Sequence, residues 1–265
     1  EAVAAARSVL LELTRLLGEY QDSLVIVGGW VPELLISQAP RKHVGSIDVD
    51  IALDHQKLKH IGYKTILQLL LSRGYRRSAQ PFIFFRTVQF GERTFDVEVD
   101  FLAGEYSGTT RGHRTQKVQD IQPRKARGCD LAVSLAAEVI LTGTLPGGGK
   151  DTATLRVASI VPFLVMKAMA LAGRLMEKDA WDIYYCIRYY PGGLEQLEAE
   201  FRPHLKHGLV QEALAKIHEK FASPQHVGPS HVADFEDLYD PGEREQLQRD
   251  AFERIQALLT RLHDE

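Results

Sequence analysis

The spacing of apolar residues changes near residue 160, and this change constrains the fold more than any other feature of the sequence. Before it, apolar residues alternate with polar ones or form brief runs, as in β-strands. After it, they recur at the three- and four-residue steps of helices. The sequence therefore predicts an α+β protein, with a mixed β-sheet and flanking helices over 1–160 and a mainly helical C-terminal domain over 161–265.

The individual elements follow from the same patterns. Strands are predicted at 24–27, 47–51, 82–90, 94–102, 131–141 and 153–160. Helices are predicted at 1–20, 30–37, 57–73, 161–176, 178–190, 194–201, 209–221 and 243–263. The first of these helices is amphipathic, and its periodicity places Glu12 and Arg15 on the outer face.

Composition excludes several classes of protein. With 32 Lys and Arg against 35 Asp and Glu, the formal net charge of −3 excludes nucleic-acid binding through overall basicity. Two cysteines are too few for a disulfide scaffold. The sequence has no signal-peptide pattern and no run approaching the ~20 apolar residues that span a bilayer. We therefore expect a cytoplasmic protein that does not enter a membrane.

An acidic pair on the strand at 47–51 is the strongest sign of chemistry. Asp48 and Asp50 stand two residues apart, so both side chains point to the same side of the strand, with Cα atoms about 7 Å apart. Two carboxylates that point together repel each other unless a cation or a proton lies between them. Mg²⁺ prefers such oxygen ligands and keeps coordination positions open for phosphate oxygens. The pair therefore indicates a metal site, although surface strands also carry such pairs by chance.

A third carboxylate is available on the strand at 94–102. Asp96, Glu98 and Asp100 share one face of it, and if it lies beside the Asp48 strand, one of these acids completes the site. Asp100, nearest to the strand end, is the preferred ligand, Glu98 is the alternative, and Asp96 is expected to face solvent. The Gly28-Gly29 turn follows a strand and precedes a helix, where backbone N–H groups can face an anion.

This combination resembles the nucleotidyltransferase superfamily that includes DNA polymerase β-like enzymes, and within it resembles the AbiEii-type toxins of type IV toxin–antitoxin and phage-defence systems more than the compact members. The resemblance covers roughly 24–190. Its motifs are Val27-Gly28-Gly29-Trp30, the run from His43 to Asp50 with its Asp48-Val49-Asp50, the helix with Lys167, Ala170 and Arg174, and the pair Asp179 and Asp182. It departs in the 18 residues between Gly29 and Asp48 and in Trp30, which stands where many members have a small residue.

The resemblance implies a nucleotidyltransferase-like fold and a role for each matching residue. Asp48, Asp50 and Asp100 are expected to bind Mg²⁺ or Mn²⁺ and, with Lys167 and Asp182, to be catalytic. The nucleotide-binding residues are expected to be Gly28, Gly29, Ser46, Lys167, Arg174 and Asp179. Ser46 would supply the phosphate-binding hydroxyl that position 30 lacks.

The helix with Lys167 and Arg174 has a physical requirement of its own. The two residues are close to two helical turns apart and share a face of an otherwise apolar helix. Such cations need an anionic partner or access to water. A nucleoside triphosphate is one such partner, and ion pairs with Glu177 or Asp179 are the alternative. Asp179 and Asp182 also share a face, so they either hold these cations or act on the incoming hydroxyl.

A basic segment lies between residues 111 and 127. It contains one acid, Asp120, and six basic residues: Arg111, Arg114, Lys117, Arg124, Lys125 and Arg127. Such runs are usually solvated loops. Beside an acidic metal site, the same residues would bind the phosphates of an RNA acceptor.

These features predict a metal-dependent enzyme that moves a nucleoside monophosphate from an NTP to a hydroxyl. By resemblance, the acceptor is the 3′ end of a tRNA, the protein is a toxin, and a cognate antitoxin is its partner. Two alternatives remain: nucleotidylation of a small molecule, as in aminoglycoside-modifying relatives, or of a protein, and a nucleotide-binding module without catalysis.

Overall fold

The chain forms two compact units. The structure, a computed structural model, describes residues 1–59, 64–105, 115 and 117–263. The first unit contains Glu1–Leu34 and Val44–Ser159, and the second contains Leu35–His43 and Ile160–Glu265. The predicted α+β class is confirmed, because the first unit is built around a mixed sheet and the second around helices.

The first unit contains a sheet of eight described strands. They are β1 (Leu24–Val27), β2 (Asp48–Leu53), β3 (Arg76–Arg77), β4 (Ile83–Phe90), β5 (Arg93–Ala103), β6 (Arg124–Lys125), β7 (Ala136–Thr144) and β8 (Lys150–Ala158). Their order is β3-β4-β5-β2-β1-β8-β7, with β6 beside the end of β5. The pairs β1–β8, β2–β5 and β5–β6 are parallel, and the others are antiparallel. The sheet is therefore mixed and open.

Four helices accompany the described part of this sheet. They are α1 (Ala2–Leu16), α2 (Trp30–Leu35), α3 (Ile66–Ser72) and α4 (Cys129–Ser134). Leu13 of α1 and Ile51 of β2 line one cavity of about 100 Å³, so α1 covers the face of β2 opposite to Asp48 and Asp50. The expected outer position of Glu12 is wrong: its side chain is buried and accepts hydrogen bonds from Tyr75 Oη at 3.0 Å and Arg86 Nε at 2.7 Å.

Two predicted elements of the first unit differ from the structure. Within the predicted helix at 57–73, a 3₁₀ turn at Lys57–Lys59 precedes α3, and residues 60–63 lie outside the described residues. Thr65 starts α3 because it forms a capping box with Gln68. The predicted strand at 131–141 is wrong in its first part, where α4 runs to Ser134. Short apolar runs do not distinguish a buried strand from a helix.

The second unit is helical. Its described helices are α5 (Ile160–Arg174), α6 (Glu177–Tyr189), α7 (Gly193–Phe201), α8 (Gly208–Lys220), α9 (Val227–Phe235) and α10 (Pro241–His263). Helix α6 packs against α5, α7, α9 and α10, and its Trp181 and Tyr185 are buried. Five of the six were predicted, while α9 was not, because Gly228 and Pro229 in its first turn are typical of loops.

Residues 35–43 group with the second unit, so one boundary near residue 160 does not describe the division. Side chains of the helical unit bind this segment. Tyr185 Oη donates to the carbonyl oxygen of Arg41 at 2.7 Å, and Arg41 Nη2 lies 2.6 Å from Glu236 Oε2. His43 is buried and contacts Asp182. Among the described helices, none is both long and apolar enough to cross a bilayer.

Candidate functional site

Strands β2 and β5 bring four carboxylates to one face of the sheet. The strands are parallel neighbours, and their register pairs Asp48 with Glu98 and Asp50 with Asp100. Paired Cα atoms on neighbouring strands are about 4.8 Å apart, and residues two apart on a strand share a face. The condition set by the sequence, that the Asp100 strand lies beside the Asp48 strand, is therefore met. We call Asp48, Asp50, Glu98 and Asp100 the carboxylate face.

The Gly28-Gly29 turn lies against this face. Gly28 has φ +68°, and a Cβ atom added to it would lie 1.9 Å from Oδ2 of Asp50. Only glycine both adopts this backbone conformation without strain and leaves room for the carboxylate. The turn and the second carboxylate of the Asp48-Val49-Asp50 motif are therefore in direct contact.

Asp48 is held by Ser46, which lies just before β2, and by Trp30, which lies in α2. The Ser46 hydroxyl donates a hydrogen bond to Oδ1 of Asp48. The indole Nε1 of Trp30, a fully buried residue, donates to the backbone oxygen of Asp48 at 2.7 Å. Trp30, which departs from the motif that the chain resembles, thus secures the start of the acidic strand. The predicted phosphate-binding role of Ser46 stays a prediction.

Asp100 is the most deeply buried member of the carboxylate face, with 7% of the residue exposed. Arg124 Nη2 donates to its Oδ2 at 2.7 Å, whereas its buried Oδ1 has no hydrogen-bond partner among the described residues. Burial raises the pKa of Asp100 to about 6 although Arg124 lowers it, and the charges of Glu98 and Asp48 raise it further. One oxygen of this carboxylate is thus desolvated without compensation, which is costly unless a ligand binds there.

Glu98 remains an alternative third ligand. Burial and the charge of Asp48 raise its pKa, so these two carboxylates repel each other. Asp96, two residues earlier, is different: its side chain is 53% exposed, and Arg76 Nη2 lies 2.9 Å from its Oδ1. The expectation that Asp96 faces solvent is confirmed.

The donor set of the carboxylate face suits a hard divalent cation. It consists of oxygen atoms alone, which Mg²⁺ and Mn²⁺ prefer, and it includes Oδ1 of Asp100, to which no described residue is hydrogen-bonded. Within the part of the chain that the structure describes, no three His, Cys, Asp or Glu side chains are arranged to hold a metal ion as they stand. The Asp48 carboxylate is held by Ser46 and the Asp100 carboxylate by Arg124. Metal binding by this face requires these side chains to turn.

The second unit joins the buried Lys167, Asp179 and Asp182 and the exposed Arg174 in one ion-pair network. Lys167 Nζ lies 2.6 Å from Asp182 Oδ2 and 2.9 Å from Asp179 Oδ1. Arg174 donates two hydrogen bonds to Asp179, at 2.7 and 2.9 Å. Burial alone would raise the pKa of Asp182, but the charge of Lys167 helps to hold it well below the usual value. Of the ion pairs expected as the alternative for these cations, those with Asp179 are therefore present. The predicted catalytic and nucleotide-binding roles stay predictions.

His43 belongs to the same network, and the sequence analysis gave it no role of its own. Its Nε2 is hydrogen-bonded to Asp182 Oδ1 at 2.9 Å, and its ring lies 5.0 Å from that of Trp181 and 4.9 Å from that of Tyr185. Burial lowers its pKa, although Asp182 raises it. The sequence places His43 at the start of the motif run to Asp50, but nothing in it indicates burial or contact with Asp182.

The basic segment is only partly described. Arg111 and Arg114 lie outside the described residues. Lys117 and Arg127 are exposed, and Lys125 is half-buried. Arg124 is bound to Asp100, which makes it part of the candidate site. The predicted binding of RNA by this segment stays a prediction.

Comparisons of the chain with protein-family models, with curated proteins and with solved structures find no match. The carboxylate face and the turn beside it are the features of the first unit that suggest a reaction.

Proposed function

We propose that the protein is a divalent-cation-dependent nucleotidyltransferase with a nucleotidyltransferase-like first unit. The observation that carries this proposal is the register of β2 and β5, which aligns Asp48 with Glu98 and Asp50 with Asp100 beside the Gly28-Gly29 turn. A fold gains no stability from four adjacent carboxylates, because like charges side by side on paired strands destabilise them. Cation binding accounts for the presence of all four on one face.

Asp48, Asp50 and Asp100 would hold the cation, with Glu98 as the alternative to Asp100. A cation bound there would neutralise phosphate oxygens and lower the pKa of an attacking hydroxyl. Neighbouring residues of the chain would orient the carboxylates of Asp48 and Asp50. Ser46 and Trp30 fix Asp48, and the absence of a side chain at Gly28 leaves the Asp50 carboxylate in place.

The reaction joins the hydroxyl oxygen of an acceptor to the α-phosphorus of an NTP. The bond between the α-phosphorus and its bridging oxygen breaks, pyrophosphate leaves, and the hydroxyl proton passes to solvent. The backbone N–H groups of the Gly28-Gly29 turn are the proposed ligands of the phosphates. From the motif resemblance we further propose that the acceptor is the 3′ end of a tRNA and that an antitoxin restrains the protein.

The test is transfer of label from each of the four α-³²P-labelled NTPs, with Mg²⁺ and total RNA, resolved on a denaturing gel. We expect Mg²⁺-dependent labelling of tRNA-sized RNA by the wild-type protein and none by Asp50→Asn. Asp96→Asn is the matched control, since it removes a carboxylate from the same sheet face outside the site and should leave labelling unchanged.

The outcomes separate the competing functions. Label on protein or on an added aminoglycoside, with RNA unlabelled, would favour the alternative acceptors. NTP binding by the wild type without transfer to any of these acceptors would favour a binding module. Full activity in Asp50→Asn would contradict the assignment of the carboxylate face.

A further inference from the structure

Arg124 is placed to act on the candidate site in two ways. It lies on β6, whose pairing with Leu102 brings it beside β5 just beyond Asp100. Its guanidinium contacts Asp100 Oδ2 and lies 5.9 Å from the centre of the Phe82 ring. Its charge acts on both Glu98 and Asp100, so it counters two of the four carboxylates.

The guanidinium is also available for a second ligand. The Arg124 side chain is 44% exposed, whereas that of Asp100 is 9% exposed. One of its N–H groups is bound to Asp100, and arginine has five such donors in a planar fork that matches phosphate oxygens. A partly exposed side chain can change its partner without opening the core, because its far end already lies in solvent.

The two positive groups compete for the same carboxylate. A divalent cation that takes Asp100 would repel a guanidinium held at hydrogen-bond distance from the same oxygens. The polyphosphate of a nucleotide that enters with the cation carries several negative charges, and it offers the displaced arginine a stronger partner.

We propose that Arg124 is an exchange residue, which neutralises Asp100 when no cation is bound and binds a phosphate of the nucleotide once a cation has taken Asp100. This inference rests on the proposed function. It assigns Arg124 to the triphosphate, whereas the sequence had placed it among residues for an RNA acceptor.

The proposal predicts opposite effects of one substitution on two equilibria. In Arg124→Gln the carboxylate face loses its counter-charge, so Mn²⁺ alone should bind several-fold more tightly than to the wild type. An NTP in the presence of Mn²⁺ should bind at least about tenfold more weakly, the scale of a hydrogen bond between charged groups. Mn²⁺ binding is measured by electron paramagnetic resonance, and the binding of ATP, CTP, GTP and UTP by calorimetry.

Arg76→Gln is the matched control. Arg76 also pairs with an aspartate of β5, Asp96, four residues or about 13 Å along the strand from Asp100. It should leave both equilibria unchanged. Equal effects of the two substitutions would overturn the proposal, because they would show that loss of any positive charge near the sheet changes the two affinities.

Other outcomes are equally decisive. Weaker binding of both Mn²⁺ and NTP by Arg124→Gln would mean that Arg124 only supports the structure, and unchanged NTP binding would mean that it does not contact phosphate. Either result overturns the inference while the proposed function stands. A wild-type protein that binds neither Mn²⁺ nor any NTP would instead contradict the proposed function, and the inference with it.

Discussion

Nζ of Lys167 lies 2.6 Å from Oδ2 of Asp182, and both side chains are buried in the second unit. Lys167 Nζ also binds Asp179, so one ammonium group joins two carboxylates. A buried ion pair of this kind is costly to break, because the partner that remains is an uncompensated charge. The network is therefore a structural requirement of the helical unit, whatever else Lys167 does.

Replacing Lys167 with Met should destabilise the protein by about 3 kcal/mol, near the lower end of the range for breaking a buried pair. The loss is limited because Lys178 and His43 still bind Asp182. Urea denaturation measures it. Lys216→Met removes a partly exposed lysine that pairs with Glu212 on α8, and should cost less than about 1 kcal/mol. Equal stability of the two variants would contradict the structural role, and loss of transfer by Lys167 variants must be judged against this measurement.

Replacing Gly28 with Ala should damage the site more than the fold. The positive φ costs an L-residue about 1–2 kcal/mol, and the new Cβ would force the Asp50 carboxylate to move. We expect weaker Mn²⁺ binding by the variant, measured by electron paramagnetic resonance. Gly91→Ala isolates the backbone cost, because Gly91 has φ +61° and, its chain neighbours aside, no atom of the described residues lies within 4 Å of an added Cβ. Identical Mn²⁺ affinities in the two variants would show that contact with Asp50 is unimportant.

Replacing Trp30 with Phe should loosen the start of β2. The variant keeps a buried aromatic ring but loses the donor to the Asp48 backbone oxygen, at a cost of about 1–3 kcal/mol. Asp48 is then held less firmly, and we expect weaker Mn²⁺ binding together with lower stability. Trp181→Phe serves as the comparison, since it loses an indole donor to Glu236 in the second unit. The prediction fails if Trp30→Phe binds Mn²⁺ with wild-type affinity.

Acidification should destabilise the protein through His43. Burial lowers its pKa in the folded state, whereas in the unfolded chain it titrates near 6.5. Below that pH the unfolded state takes up a proton that the folded state resists, so this contribution to stability falls as the pH falls.

His43→Gln retains a partner for Asp182 but does not titrate. Its unfolding free energy, measured by urea denaturation from pH 5 to pH 8, should fall less on acidification than that of the wild type. Lys178 and Lys167 also act on His43 and are present in both proteins. His218→Gln, at an exposed position of α8, should retain the wild-type profile. Parallel profiles for wild type and His43→Gln would refute this origin of the pH dependence.

The two acidic strands of the candidate site could be predicted because the information for each strand is local. Alternation along 47–51 and 94–102 fixes which residues share a face, and the apolar sides of both strands must be buried. The pairing of Asp48 with Glu98 and Asp50 with Asp100 adds the register, which no single segment contains. Both Glu98 and Asp100 lie on the carboxylate face, so the choice between them as third ligand is still open.

Other residues could not be placed because their partners are distant in sequence. The periodicity of α1 assigns Glu12 to the surface, but Tyr75 and Arg86, more than 60 residues away, provide hydrogen bonds that make its burial tolerable. In the sequence, Arg124 is one of six basic residues of the segment 111–127, and only the pairing of β6 with β5 shows that it contacts Asp100. No local pattern indicates that His43 contacts Asp182, which is 139 residues away. In each case the deciding contact is between segments, not within one.

The grouping of residues 35–43 with the helical unit has a consequence for biosynthesis. A ribosome synthesises this segment long before α6. The contacts of Arg41 with Tyr185 and of His43 with Asp182 therefore cannot form until α6 has been translated. An expression fragment that starts at residue 160 would lack both partners and leave Asp182 without its imidazole. Expressing the helical unit alone therefore requires residues 35–43 to be joined to it, because a fragment cut at residue 160 lacks this part of the unit.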